Sequence, residues 1–353
     1  MIEIPDLSGA PNLKQLILRC CTRLYKIHAS LGDLKQLIRL DLNGCKCLKN
    51  LPHKISLEAL EYFDLGGCRR LKKFPEIMGN MSRLSELYLS ETVIKDLSLL
   101  LKHLTGLIKL DLRDCKNLSS LPNAICCLIS LKTLNLSNCS RLDKLPENLR
   151  NIEGLKELDV SGCDFLLSKP SNKLLNFPLL QRRSPDPMAM SRLMCVLSGL
   201  SCLTKLNLSY CNLREVPNVI GCFSSLRYLD LSGNSFVCLP KNISQLSKLY
   251  SIYLCGCTDL QLLPELPLNI LWVDVQGCTS LETLIIRPED DFCPRLNLLN
   301  CVKLIDNQGY GDILLKMLIH YIQVSLFLLS PLSFFFSLSL SSKHLHFYVS
   351  DTR

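Results

Sequence analysis

The chain is short of what chemistry at a site usually draws on. Among 353 residues there is one tryptophan, there are six histidines, and aromatic residues make up 7%. Apart from His344 and His346 the histidines are singletons, and no Ser–His–Asp or Cys–His constellation stands beside supporting sequence. No G-x-x-x-x-G-K-[ST] phosphate loop occurs, which excludes that mode of nucleotide binding. The twenty cysteines form no C-x-x-C pair of pairs, so neither a zinc site nor any other metal site is expected. The start, MIEIPDLSGA, has no basic stretch leading into an apolar core. A signal peptide is therefore not expected, and the thiols are expected to be reduced, in the cytoplasm or the nucleus. A formal net charge of +8 is modest at this length. It permits acidic partners without implying nucleic acid, and no RNA-binding aromatic motif accompanies it.

What the chain has in abundance is leucine at a fixed period. The first Leu of each L-x-x-L-x-L-x-x-C unit falls at Leu13, Leu37, Leu60, Leu84, Leu107, Leu131, Leu155, Leu203, Leu226 and Leu249, with Ile270 last. The steps are 23 or 24 residues, apart from one of 48 and a final one of 21. Such a period is the mark of a leucine-rich repeat solenoid, and the 48-residue step is expected to hide one degenerate repeat. In each unit L-x-L alternates with period two, so it reads as a short strand with Leu inward and x outward. Later apolar residues such as Leu48 and Leu51 turn the chain back over the same core. A proline follows (Pro52, Pro75, Pro122, Pro146, Pro217, Pro240, Pro264) and fixes the backbone. No coil buries its leucines alone; stacked neighbours do it together. The fold class is therefore an α/β solenoid: a horseshoe with a parallel β-sheet on the concave face and short helical, 3-10 or loop segments on the convex face.

One slot in the unit holds Cys21, Cys45, Cys68, Cys115, Cys139, Cys163, Cys211, Cys257 and Cys278, with Thr92 and Asn234 in the other two coils. It lies where the strand turns into the core beside backbone groups leaving the ladder. A small side chain with a weak S–H donor suits it. These nine thiols read as structural.

Units such as NGCKCLKNLP, GGCRRLKKFP, SNCSRLDKLP and CGCTDLQLLPELP resemble the repeat region of plant TIR–NB–LRR immune receptors. So do IEIPDLSGAPNLKQLILRCCTRL at the start, LDLSGNSFVCLP at 229–240 and LNCVKLIDNQGYGDILLKMLIHYIQ at 299–323. The resemblance covers residues 1–323. It implies a non-catalytic protein-interaction module of innate immunity, which recognises an effector and restrains activation. Its partners would be a pathogen effector, a host guardee or a receptor's nucleotide-binding domain. Nothing in this sequence matches the TIR or nucleotide-binding domains of the family, so their activities are not carried over and no cofactor is expected. Two alternatives stand beside this reading: a decoy that docks on full-length receptors, and a repeat scaffold anchored in a membrane.

The expected organisation is a partial repeat at 1–12, repeats at 13–163, a degenerate repeat or basic Pro/Ser loop at 164–202, and repeats at 203–290. Residues 291–323 would open a post-repeat domain, and 324–353 form an apolar Ser/Leu/Phe tail without native structure. The tail reads as translated intron, with a membrane anchor as the alternative. Three surface features stand out. The middle strand column carries Asp41, Asp64, Tyr88, Asp111, Asp159, Asp230, Tyr253 and Asp274. It is either a solvated face whose carboxylates accept hydrogen bonds or a recognition face for a basic ligand. The preceding column places Tyr228 and Trp272 around Ser251, making with Tyr253 an aromatic cluster for binding or for packing under later residues. Lys46, Lys49, Arg69, Arg70, Lys72 and Lys73 form a basic edge, serving solubility or docking on an acidic surface.

Overall fold

The computed structural model describes residues 2–97, 100–163, 187–285, 294–306, 335–341 and 344–350. The chain divides into two compact units, Met1–Asn212 and Leu213–Arg353. In the first, eight three-residue strands follow one another in a parallel ladder: Gln15–Ile17, Arg39–Asp41, Tyr62–Asp64, Glu86–Tyr88, Lys109–Asp111, Thr133–Asn135, Glu157–Asp159 and Lys205–Asn207. In the second, the strands Tyr228–Asp230, Ser251–Tyr253, Trp272–Asp274 and Arg295–Asn297 form the same arrangement. The register never slips: Leu40, Phe63, Leu87, Leu110, Leu134, Leu158 and Leu206 align in one unit, and Leu229, Ile252, Val273 and Leu296 in the other. A one-residue slip would turn that whole apolar column away from the core.

Both ends of each coil pack on the column. Leu42, Leu48, Leu57, Leu60, Leu107, Leu131 and Leu249 are all 0% exposed. Each stabilises the stack by about 1.5–3 kcal/mol relative to standing in water. In the first coil Leu13, Leu16 and Leu18 are only half-buried, because one side of that coil has no neighbouring ladder strand. Opposite the ladder the return segments form 3-10 helices in several coils. Pro122, Pro146, Pro217 and Pro240 stand at their N-caps, with φ near the value that the proline ring enforces. Elsewhere short parallel pairs replace them, such as Lys54–Ile55 with Glu76–Ile77 and Leu262–Leu263 with Thr283–Leu284.

From the second coil on, the cysteine slot lies inside, as its chemistry requires; Cys21, in the first coil, is only half-buried, like the leucines of that coil. Cys45, Cys68, Cys115, Cys139, Cys163, Cys211, Cys257 and Cys278 are at most 1% exposed. Each thiol donates to a carbonyl of the preceding coil: Cys45 to Leu18, Cys68 to Leu42, Cys139 to Leu112 and Cys278 to Leu254, all at 3.1–3.3 Å. The substitutes behave differently. The Thr92 hydroxyl and the Asn234 amide donate to carbonyls of their own coils, Leu89 and Leu231, at 2.8 Å. The residue just before the slot adopts positive φ in every coil, from Cys20 and Gly44 to Gly277 and Asn300. Glycine fits there without a Cβ penalty, which accounts for the recurrent Gly-Cys pair.

Three expectations change. The 48-residue step is a single ladder step, since Glu157–Asp159 pairs directly with Lys205–Asn207. The extra length is an insertion rather than a hidden repeat. Residues 164–186 of the expected loop lie outside the described residues, but its end, Pro187–Ser198, is an α-helix. Ala189, Leu193, Val196 and Leu197 share one buried face of that helix, which packs against the 3-10 helix Glu147–Asn151. The ladder also continues past 290: Arg295–Asn297 pairs with Trp272–Asp274, and Cys301, 0% exposed, donates to Val275 at 3.1 Å like the other slot thiols. Much of the apolar tail is outside the described residues. Within it, Phe335–Ser341 and His344–Ser350 pair antiparallel, so part of a stretch expected to lack structure is a hairpin.

Candidate functional site

The middle strand column does not present a row of free carboxylates. A three-residue strand ends at that position, and the chain bends at once. The side chain folds back and accepts the N–H two residues on, an Asx turn. Asp64 Oδ1 takes the Gly66 N–H at 2.8 Å, Asp111 that of Arg113 at 3.0 Å, Asp159 that of Ser161 at 3.0 Å, Asp230 that of Ser232 at 2.9 Å and Asp274 that of Gln276 at 3.1 Å. Asn135 and Asn207 do the same with Ser137 and Ser209.

Asp41, Asp64 and Asp111 are only 0%, 4% and 7% exposed, whereas strand alternation predicts them outward. Their charge is met locally. Arg39 Nη2 lies 3.1 Å from Asp41, with Arg19 Nε at 3.5 Å. Asp64 also accepts from Tyr62 Oη at 3.1 Å and from Asn43 Nδ2 at 3.2 Å. Asp159, Asp230 and Asp274 are half-buried. The column therefore terminates strands first, and its capacity to take a basic ligand is much reduced.

The residues that reach past this column are aromatic and cationic. In the first unit Arg39 lies 3.8 Å over the Tyr62 ring, Tyr62 and Tyr88 stand 5.5 Å apart, and Lys109 lies 5.0 Å from the Tyr88 ring. Burial, reinforced by Asp64, pushes the Tyr62 hydroxyl up to about 12, and burial with Glu86 raises Tyr88 likewise. Both rings thus stay neutral at physiological pH and suited to cation–π contact. Arg39, Tyr62 and Lys109 were not among the expected site residues, although parallel register at 23–24 residues aligns them with Glu86.

In the second unit the register places Tyr228 beside Ser251 and Ser251 beside Trp272. Ser251 is 2% exposed and Tyr228 is 38% exposed; Trp272 and Tyr253 are half-buried. A small buried residue between two large ones lies beneath a surface formed by rings. The Tyr228 ring also stands 5.8 Å from that of Tyr250, which is 46% exposed and was not expected in the cluster.

The basic edge is fully at the surface. Lys46, Lys49, Arg69, Arg70, Lys72 and Lys73 are all exposed. Five of them, all but Lys46, line one depression of about 1030 Å³ together with Lys95. Arg69 is paired with Glu91, its Nε at 2.9 Å. Among the described residues, no group of three or more His, Cys, Asp or Glu is placed to hold a metal ion, and no helix is long and apolar enough to cross a membrane.

With this geometry in hand, the likeness to known proteins is specific. Residues 55–152 match the family model for leucine-rich repeats of disease resistance protein RPS4B-like proteins, and 202–223 and 225–246 match the general leucine-rich repeat. TMV resistance protein N of Nicotiana glutinosa is 40% identical over 281 residues, covering 78% of this chain and 24% of that protein. Disease resistance-like protein DSC1 of Arabidopsis thaliana is 37% identical over 281 residues, covering 79% and 23%. Probable disease resistance protein At4g19520 of the same plant is 31% identical over 340 residues, covering 83% and 19%. The chain thus spans a quarter or less of these relatives' length. Among solved structures, the functional domain of InlJ from Listeria monocytogenes, which includes a cysteine ladder, aligns with a TM-score of 0.54 at 20% identity over 79% of this chain and 53% of that one. That likeness bears on the fold alone.

Proposed function

Since this chain belongs to the leucine-rich repeat regions of plant disease resistance proteins, we propose that it recognises a protein partner, a pathogen effector or a host guardee, through the ladder face of its second unit. The observation behind this reading is the aromatic cluster of Tyr228, Tyr253 and Trp272 around the buried Ser251, on strands whose register fixes the backbone beneath each ring. Aromatic side chains with few rotatable bonds give large contact area at low entropic cost, and they are frequent interface anchors. The encounter would take place inside the plant cell. In a receptor carrying these repeats, partner engagement would relieve a restraint that the repeats exert.

A partner captured specifically from infected leaf tissue provides the test. Trp272→Ala with Tyr228→Ala should weaken that capture roughly thirtyfold, as expected for a pair of anchors worth about 2 kcal/mol together. The melting temperature should stay within about 2 °C, because neither ring belongs to the buried leucine core. Undiminished capture removes the aromatic face from recognition. A fall of more than about 5 °C assigns the rings to packing instead.

A further inference from the structure

We propose that the basic depression is a binding site for a compact polyphosphorylated small molecule. Its cations come from three successive coils: Lys49 from one, Arg69, Arg70, Lys72 and Lys73 from the next, and Lys95 from the third. Parallel stacking sets neighbouring coils about 4.8 Å apart, so these like charges are held close. Among the described residues only Arg69 of the six forms an ion pair, with Glu91, and Asp96 is the one carboxylate in the lining. Charge serving solubility alone disperses over a surface. Here it converges on a concavity, where low-dielectric walls focus the positive potential.

Size and charge density select the ligand. An open depression of about 1030 Å³, on the order of 12 Å across, lies at the upper limit of small-molecule sites. Neutralising five cations in that span requires several negative charges. An extended acidic peptide advances about 3.3 Å per residue and turns alternate side chains away, so it brings about two carboxylates to one face. Two or three phosphate monoesters, each carrying about −1.5 to −2, supply the charge within that span. The guanidinium fork of Arg70 suits phosphate oxygens in a bidentate way. Phe74, half-buried in the lining, offers apolar surface to the ring or chain bearing the phosphates.

The test uses the whole chain at about 150 mM salt, where diffuse attraction is screened beyond roughly 8 Å. Calorimetric titration with myo-inositol hexakisphosphate should show saturable one-to-one binding and a raised melting temperature. Arg70→Glu with Lys72→Glu should weaken it at least tenfold, and the neutral pair Lys72→Gln with Lys73→Gln should do so in part. Lys241→Glu with Lys248→Glu, exposed basic residues of the second unit, should change it less than threefold. Equal losses from both charge-reversed pairs would reduce the effect to general electrostatics and overturn the site, as would absence of saturation. Tighter binding of octaglutamate than of the phosphorylated probe would hand the depression to an acidic protein segment and overturn the proposal too. Vesicles containing phosphatidylinositol bisphosphate separate the sources. Co-sedimentation with them alongside soluble binding supports a lipid headgroup, and soluble binding alone supports a free metabolite. Trp272→Ala should leave every arm unchanged, so this site stands or falls apart from the protein-recognition face.

Discussion

Raising the pH above 9 will destabilise this protein steeply, by on the order of 1 kcal/mol per pH unit for each slot thiol that only the fold keeps protonated. Burial pushes the Cys45, Cys115, Cys257 and Cys301 thiols up to about 11 and Cys68 up to about 12, against an ordinary value of 9.0. Cys139 and Cys278 are raised further, first by burial and then by the slot thiols of the coils on either side. The sign follows from proton binding. An unfolded chain releases these protons near pH 9, while the folded chain retains them. Their contribution is therefore complete below pH 9 and is lost as the pH climbs through 11 to 12. Tyr62, raised to about 12 by burial, acts in the same direction above pH 10. Urea midpoints at pH 8, 9, 10 and 10.5 should decline progressively. Cys139→Ala should lower the midpoint at pH 8 and make the decline shallower. A midpoint unchanged up to pH 10.5 contradicts the buried placement of these thiols.

Gly106→Ala should cost about 3 kcal/mol or more, as expected when added atoms meet a part of the structure that cannot yield. A Cβ at Gly106 would come 1.8 Å from the carbonyl oxygen of Ser82 in the preceding coil and 3.0 Å from its carbonyl carbon. That obstacle is backbone, and ladder hydrogen bonds hold it in place: the N–H groups of Ile108 and Lys109 both reach the Ser85 carbonyl, at 2.8 and 2.9 Å. Relief would need the coils to part, exposing leucines on both sides. Gly9→Ala is the control, since nothing lies within 4 Å of its added Cβ. It should stay within about 0.5 kcal/mol of the parent. Equal urea midpoints for the two variants would mean that the coils are not stacked at the stated distance.

The coil itself was legible from residue types alone. Period, strand, proline return and thiol slot follow from where Leu, Pro and Cys recur, because a stacked repeat must bury the same positions in every copy. The fate of the aspartates was not legible. Alternation places the x of L-x-L outward for a continuing strand, but this strand stops at x, and the carboxylate turns back to its own loop. Asp41 and Asp64 accept hydrogen bonds, as one of the two expected readings had it, but they do so buried rather than on a solvated face. Arg39, Tyr62 and Lys109 stand in the same column as Tyr228 and Trp272, which the period aligns, but went unnoticed because that column varies in residue type from coil to coil. The pattern of the last described ladder coil is plainly written as RLNLLNC at 295–301, yet the acidic run EDDF before it suggests a boundary. The basic edge was visible as a list of lysines and arginines. Its concavity depends on how three coils lie against one another, which no single repeat encodes.

Thiol accessibility in the native state tests the central claim most directly: that stacked coils enclose one another's slot cysteines and leucines. After brief alkylation with iodoacetamide at pH 8, peptide mapping should find Cys20, Cys127, Cys202, Cys222 and Cys238, all exposed, modified. Cys45, Cys68, Cys115, Cys139, Cys163, Cys211, Cys257, Cys278 and Cys301, all buried, should remain unmodified until urea is added. Modification of the second group at the rate of the first, without denaturant, would contradict the stacked-coil account.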